Sequence, residues 1–278
     1  MRKLLVASAV ASLFAGSSSV FAQAAAPASP HTFTGNVALV SDYRFRGVSQ
    51  TYKLPAVQGG FDYSHASGFY VGTWASNVSG NLYPNGAGLE WDFYGGYKFE
   101  PIQDLGIDVG VLYYWYPGAY YNVATRDKFN NTEIYLGLTY KWFSAKYSHA
   151  VSDYFGIKGN TYSGYAGINA DGTPTGNTMP VTTANSRGSG YLDLNANFEI
   201  MDKTTLGLHV GHTSVRHFGD LSYTDYKIGL TRDFGWATLG AAVVGTNAKT
   251  QYYRYCNTSP NCKDPRDTTL VLSISKTF

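Results

Sequence analysis

From Asn36 to the carboxyl end, apolar and polar residues alternate with period two in one segment after another. Val37, Leu39, Tyr43 and Phe45 alternate with Asn36, Asp42, Arg44 and Arg46; Val57, Phe61 and Tyr63 alternate with Gln58, Asp62 and Ser64. Successive side chains of an extended chain point to opposite faces, so each segment predicts a strand with one oily and one polar face. The pattern continues through Phe69–Ala75, Leu89–Phe99, Leu105–Trp115, Ile134–Tyr140, Phe143–Tyr147, Leu192–Phe198, Leu206–Val210, Tyr226–Leu230, Ala237–Val243 and Leu270–Phe278. About twelve strands result, and an even number returns both termini to the same end of a closed sheet.

The connections alternate in length. Long ones run over Gly47–Leu54, Asn77–Gly88, Pro117–Asn131, Ser152–Gly190, Val215–Ser222 and Thr246–Asp267; short ones over His65–Gly68, Glu100–Asp104, Lys141–Trp142, Met201–Lys203 and Phe234–Gly235. A soluble sandwich has no reason to hold long and short loops at opposite ends. The expected fold is all-β: a transmembrane antiparallel up-and-down β-barrel with long extracellular loops and short periplasmic turns.

A cation on the lipid-facing side at mid-depth costs roughly 2–4 kcal/mol, so the face that carries the charges must line the interior. That assigns Asp42, Arg44, Arg46, Asp62, Glu90, Asp92, Lys98, Asp108, Glu133, Lys141, Lys146, Asp193, Glu199, Asp225 and Lys227 to the lumen, together with Gly72, Gly96, Gly106, Gly110, Gly137, Gly207 and Gly229. Tyr113, Trp115, Tyr140, Trp142, Phe143 and Trp236 sit at strand ends, where aromatic girdles form. With Asp233 at the rim, ten lumen carboxylates face six bases, from which a weak cation preference is expected.

Composition agrees with strands in lipid. Charged residues are 14% and aromatics 16%, and no second stretch could span a bilayer as a helix. Arg2 and Lys3 precede a small and apolar stretch ending at Ala22, the layout of a cleaved secretory signal. The expected organisation is a signal peptide over 1–22, a flexible segment over 23–34 and an outer-membrane barrel over 35–278. Removing Arg2 and Lys3 with the leader leaves 19 basic against 19 acidic residues, which gives no footing for nucleic acid.

The closing run Leu270, Leu272, Ile274, Lys276, Phe278 resembles the last strand of Gram-negative outer-membrane barrels. That resemblance implies that Phe278 is the assembly signal read by the barrel assembly machinery. Lys276 departs from the apolar residue usual there, and a long cation so near the end can snorkel to the interface. More specifically, Ser41-Asp42-Tyr43-Arg44-Phe45-Arg46-Gly47-Val48-Ser49-Gln50-Thr51 resembles the signature of the TorF family of proteobacterial porins. Gln58–Tyr63, Gly72–Val78, Tyr140–Tyr147 and Ser222–Gly229 are similar to further segments of that family. The resemblance implies an outer-membrane pore and leaves its solute open.

Candidate chemistry is sparse. Asp42, Arg44 and Arg46 on the first strand should lie beside Asp62 on the second. Such a cluster makes either a charged constriction or salt bridges that fill a narrow lumen. Cys256 and Cys262, separated by five residues in the last long loop, are expected to form a disulfide. His209 and His212 are three apart on a strand and point to opposite faces, so they do not chelate together. His212 and Ser214 share the outer face, as in outer-membrane phospholipases, but the adjacent outer positions hold Leu194, Phe198, Tyr226 and Ile228 rather than an orienting Asn or Asp. Asn169–Asn177, which carries Asp171, is expected to be a surface loop. The expected protein is therefore a passive channel for small polar solutes, with outer-membrane lipid as its solvent and with no cofactor, metal or catalytic residue. The alternative is a closed structural or adhesive surface barrel, for which Tyr120, Tyr121, Tyr252 and Tyr253 would suit recognition. Oligomeric state, monomer or trimer, is left open.

Overall fold

The computed structural model describes residues 29–83, 88–121, 125–162, 166–169, 172–256 and 262–278. The expected signal peptide, Asp171, and the side chains of Cys256 and Cys262 lie outside the described residues.

Hairpin follows hairpin around a closed antiparallel barrel of twelve strands. In chain order they are β1 His31–Val40, β2 Ala56–His65, β3 Phe69–Asn77, β4 Leu89–Ile102, β5 Leu105–Trp115, β6 Asn131–Tyr140, β7 Phe143–Ala150, β8 Gly190–Met201, β9 Thr204–Ser214, β10 Tyr223–Asp233, β11 Thr238–Thr246 and β12 Thr269–Thr277. β12 pairs with β1, Asn36 opposite Thr277. The seam continues through Phe278, whose N–H and carbonyl exchange 2.9 Å hydrogen bonds with Gly35. No strand edge is left in the barrel wall, as a sheet in hydrocarbon requires.

Period two decides the faces. Val37, Leu39, Phe61, Val71, Phe93, Val109, Val111, Leu136, Leu138, Leu192, Val210, Ile228, Leu230 and Leu272 all point outward and are exposed. Trp142 and Trp236 stand exposed at the short-turn end, and Trp91 stacks on Trp115 with ring centroids 5.8 Å apart near the long-loop end. Lys276 reaches past the wall to donate a 2.6 Å bond to the carbonyl of Gly235, in the turn between β10 and β11.

Three boundaries differ from the sequence expectation. β1 begins at His31 and pairs there with His65, so the last four residues of the expected flexible segment 23–34 belong to the barrel. β1 also stops at Val40, and Asp42, Arg44 and Arg46 lie on a separate small hairpin, Arg44–Phe45 against Val48–Ser49. Lys141 belongs to the β6–β7 turn with φ +53° and is exposed; its ammonium lies 5.2 Å over the ring of Tyr140 rather than in the lumen.

Three of the inner-face glycines, Gly72, Gly96 and Gly110, are seats for rings rather than open space. A Cβ at Gly72 would lie 2.5 Å from the ring of Tyr94, and one at Gly110 would lie 2.5 Å from Tyr135 Oη. Tyrosines from adjoining strands thus lie flat across the lumen wall.

Candidate functional site

Loop 1, residues 41–55, folds into the barrel. A turn at Arg46-Gly47, with φ +47° and +81°, makes its tip; two positive φ values match the twist of a two-residue hairpin. A Cβ on Gly47 would come within 2.7 Å of the Asp225 Cβ and 3.0 Å of the Gly245 carbonyl. The tip is therefore pressed against β11 and β10, two and three strands around the barrel from β1.

Side chains stitch the loop in place. Asp42 accepts 2.6 Å and 3.1 Å bonds from Ser49 and Thr51 on one oxygen and a 2.7 Å bond from Arg44 Nε on the other. Arg44 Nη1 donates to the carbonyls of Gly47, Pro265 and Asp267, which ties loop 1 to the loop before β12. Arg46 Nη2 donates to both oxygens of Glu133 on β6, at 2.8 and 3.0 Å, while Nη1 donates to Tyr154 Oη at 2.9 Å. Its guanidinium also lies 4.1 Å over the ring of Tyr191. Tyr43 and Tyr116 each donate a 2.8 Å bond to Glu90, one to each oxygen. Burial first, then Glu90, raises both phenols above their ordinary range, so they remain donors.

Below the loop, His209 bridges two carboxylates, Asp225 at 2.8 Å and Asp193 at 3.1 Å. Tyr94 donates to Asp62 and Tyr70 to Asp108, both at 2.6 Å; Lys98 lies 3.6 Å from Asp108. Lys146 sits 5.0 Å over the ring of Tyr135. Toward the short-turn end the inner face carries Asn197 and Glu199, both exposed, so the lumen is open there. Between that vestibule and loop 1 lies a cavity of about 90 Å³, lined by loop 1 and by residues of β3, β4, β5, β7, β8, β9, β10 and β11.

The expected cluster of Asp42, Arg44 and Arg46 beside Asp62 does not assemble. The first three are held in loop 1 by one another, by Glu133 and by the last loop, whereas Asp62 lies deeper on β2 with Tyr94 as its partner. Glu90, Asp92, Lys98, Asp108, Glu133, Lys146, Asp193, Asp225 and Lys227 do occupy inward positions on their strands. His212 accepts or donates a 2.9 Å bond with Thr224 on the outer face. Cys256 and Cys262 are directly paired in backbone register across a short hairpin. Sequence analysis passed over the aromatic half of the inner face, Trp74, Tyr94, Tyr114, Tyr135 and Tyr191, and weighed His209 only as a chelating partner of His212. The signal was present: each occupies the polar phase of its strand, and Trp74, Tyr94, Tyr135 and His209 have a glycine two positions away.

Residues 24–278 match the sequence model of a family described as "Bacterial protein of unknown function (Gcw_chp)". The chain belongs to this family. The family description carries no porin name, so the TorF resemblance stands on the residues quoted for it. No curated protein matches the chain significantly. Among solved structures it is similar to the KdgM porin at 9% identity and TM-score 0.49, covering 88% of this chain and 99% of that one. It is also similar to the NanC porin, at 8% identity and TM-score 0.46 over 88% and 98% of the two chains. A third likeness is to the COG4313 outer membrane channel from Pseudomonas putida F1, at 10% identity and TM-score 0.42 over 91% and 96%. Such distant likenesses carry no function across.

Proposed function

We propose that this protein is an outer-membrane channel of the TorF porin type, through which small polar solutes diffuse passively, narrowed from the outer side by loop 1. The observation that carries this is the opposition of faces in one closed barrel. Apolar side chains cover the outside, while charges line an interior open at the short-turn end and spanned by loop 1 at the other. Lipid on one face and water on the other is the environment that this arrangement suits. It is a solute path rather than a catalyst.

Export through a cleaved leader ending at Ala22 and folding by the barrel assembly machinery complete the proposal. The seam made by Phe278 and Gly35 supports the second, because the last strand is the one that closes the barrel. The inner face carries more carboxylates than bases, which supports a weak cation preference. The register of Cys256 and Cys262 supports a disulfide across the tip of the last loop.

Single-channel recording of the purified barrel in a planar bilayer tests the proposal. Discrete conductance steps, with reversal potentials on the cation-selective side under a salt gradient, are expected. A barrel that inserts and never conducts would instead be the closed surface barrel, acting through its outer loops.

A further inference from the structure

We infer that the cavity beneath loop 1 is a binding station for small zwitterions, molecules that carry a carboxylate and an ammonium within a few bonds, such as the smallest α-amino acids. The inference deepens the channel proposal and rests on it for its physiological setting. Two buried polar atoms carry it. Arg44 and Asp92 both line the cavity and are only 5% and 3% exposed. Arg44 Nε and Nη1 are fully engaged, but Nη2 has no hydrogen-bond partner among the described residues, and neither has Asp92 Oδ1.

The two groups reach the cavity from different elements of the fold. Arg44 is fixed by loop 1 and the last loop, whereas Asp92 projects from β4 between Trp74 and Tyr114 on the neighbouring strands. The other acids of that sector are occupied, Glu90 by two tyrosines and Glu133 by Arg46. A buried charge-bearing group left unpaired is costly, and a ligand of opposite sign offsets that cost. An acceptor facing Arg44 and a cationic donor facing Asp92 would satisfy both groups in one molecule. The rings of Phe45, Trp74, Tyr114 and Tyr191 on the same walls favour a cation by their faces and exclude bulk water. A volume of about 90 Å³ takes roughly six to nine water-sized groups. Glycine and alanine fit that count.

Calorimetric titration of the full detergent-solubilised barrel tests the inference, with L-alanine, L-lactate and ethylamine as separate probes. Saturable alanine binding at one site per barrel is expected, with lactate and ethylamine each weaker by about tenfold or more, since each lacks one charge-assisted bond. Asp92→Asn should weaken alanine by about tenfold or more and leave lactate unchanged. Arg44 also anchors loop 1, so the Asp92→Asn comparison decides. The inference is overturned if alanine shows no saturable binding at millimolar concentration, if all three probes bind alike, or if Asp92→Asn binds alanine as tightly as the natural protein. Conductance is scored separately. Alanine binding in a barrel that never conducts would sink the channel proposal and keep the site; conductance without alanine binding would do the reverse.

Discussion

Arg46, at the tip of the inward hairpin, holds Glu133 of β6 through a single guanidinium nitrogen at 2.8 and 3.0 Å, five strands around the barrel from where its own loop begins. Both side chains are almost completely buried, 5% and 2% exposed. Glu133 also accepts a 3.0 Å bond from Asn131. The pair works as a latch that keeps loop 1 across the lumen.

Glu133→Gln keeps the shape and removes the charge, leaving Arg46 buried without its counter-ion. Breaking such a pair costs about 3–5 kcal/mol. Freeing Arg46 is the cheaper outcome, so loop 1 should swing outward. Larger single-channel steps from an intact barrel are expected, and steps of unchanged size would show that loop 1 does not set the width.

Gly110 and Gly137 differ in what a methyl group would meet. At Gly110 it would lie 2.5 Å from Tyr135 Oη and 2.6 Å from the Gly95 carbonyl, while at Gly137 the nearest atom is Asp108 Cβ at 3.5 Å. Gly110→Ala should therefore cost about 1–3 kcal/mol by overpacking, and Gly137→Ala should be near neutral. Urea titration of the folded, unboiled gel band in micelles measures the contrast.

Leu136 is an outward residue near the middle of β6, and Asn197 is an inward residue of β8 near the open end. Leu136→Arg places a cation in hydrocarbon at about 2–4 kcal/mol, whereas Asn197→Arg places one in a water-exposed lumen and should be near neutral. Folding yield into lipid vesicles should fall for the first and hold for the second. Equal yields would reverse the assignment of faces.

Asp127, in the loop between β5 and β6, accepts a 2.8 Å ion pair from Lys158 and a 2.6 Å bond from Thr125, which together hold its carboxyl below the usual carboxylate range. A depressed folded pKa contributes stability above the unfolded value, about 4, and that contribution is lost as pH falls through the lower folded value. Amide exchange of Tyr121, whose N–H donates to the Asp127 carbonyl, should accelerate relative to its intrinsic rate on going to pH 3. Asp127→Asn should flatten that dependence.

Unreduced protein should contain no free thiol by mass spectrometry, through a Cys256–Cys262 disulfide. Thiol labelling at both cysteines without reductant would remove the bridge from the account.

Much of this barrel was legible in one dimension because its parts are local. A hairpin pairs neighbours in sequence, and period two tells lipid face from lumen face, so the alternation of Leu105 to Trp115 or Leu192 to Phe198 determined both strand and orientation. Loop lengths separated a long-loop end from a short-turn end. The alternation through Tyr43 to Arg46 carried the same local signal as a strand, yet that segment left the wall. Its place depends on Glu133, Tyr154, Pro265 and Asp267, residues 87 to 223 positions away, and no local pattern encodes contacts at that range. The inner aromatics were hidden for a related reason. Tyrosine suits lipid, lumen and interface alike, and the seat left by a glycine on the next strand, such as Gly72 under Tyr94, helps decide which one it takes. Sequence determined the cylinder, and tertiary structure alone decided what crosses it, because closing a sheet is repetitive while filling its inside is a single long-range fit.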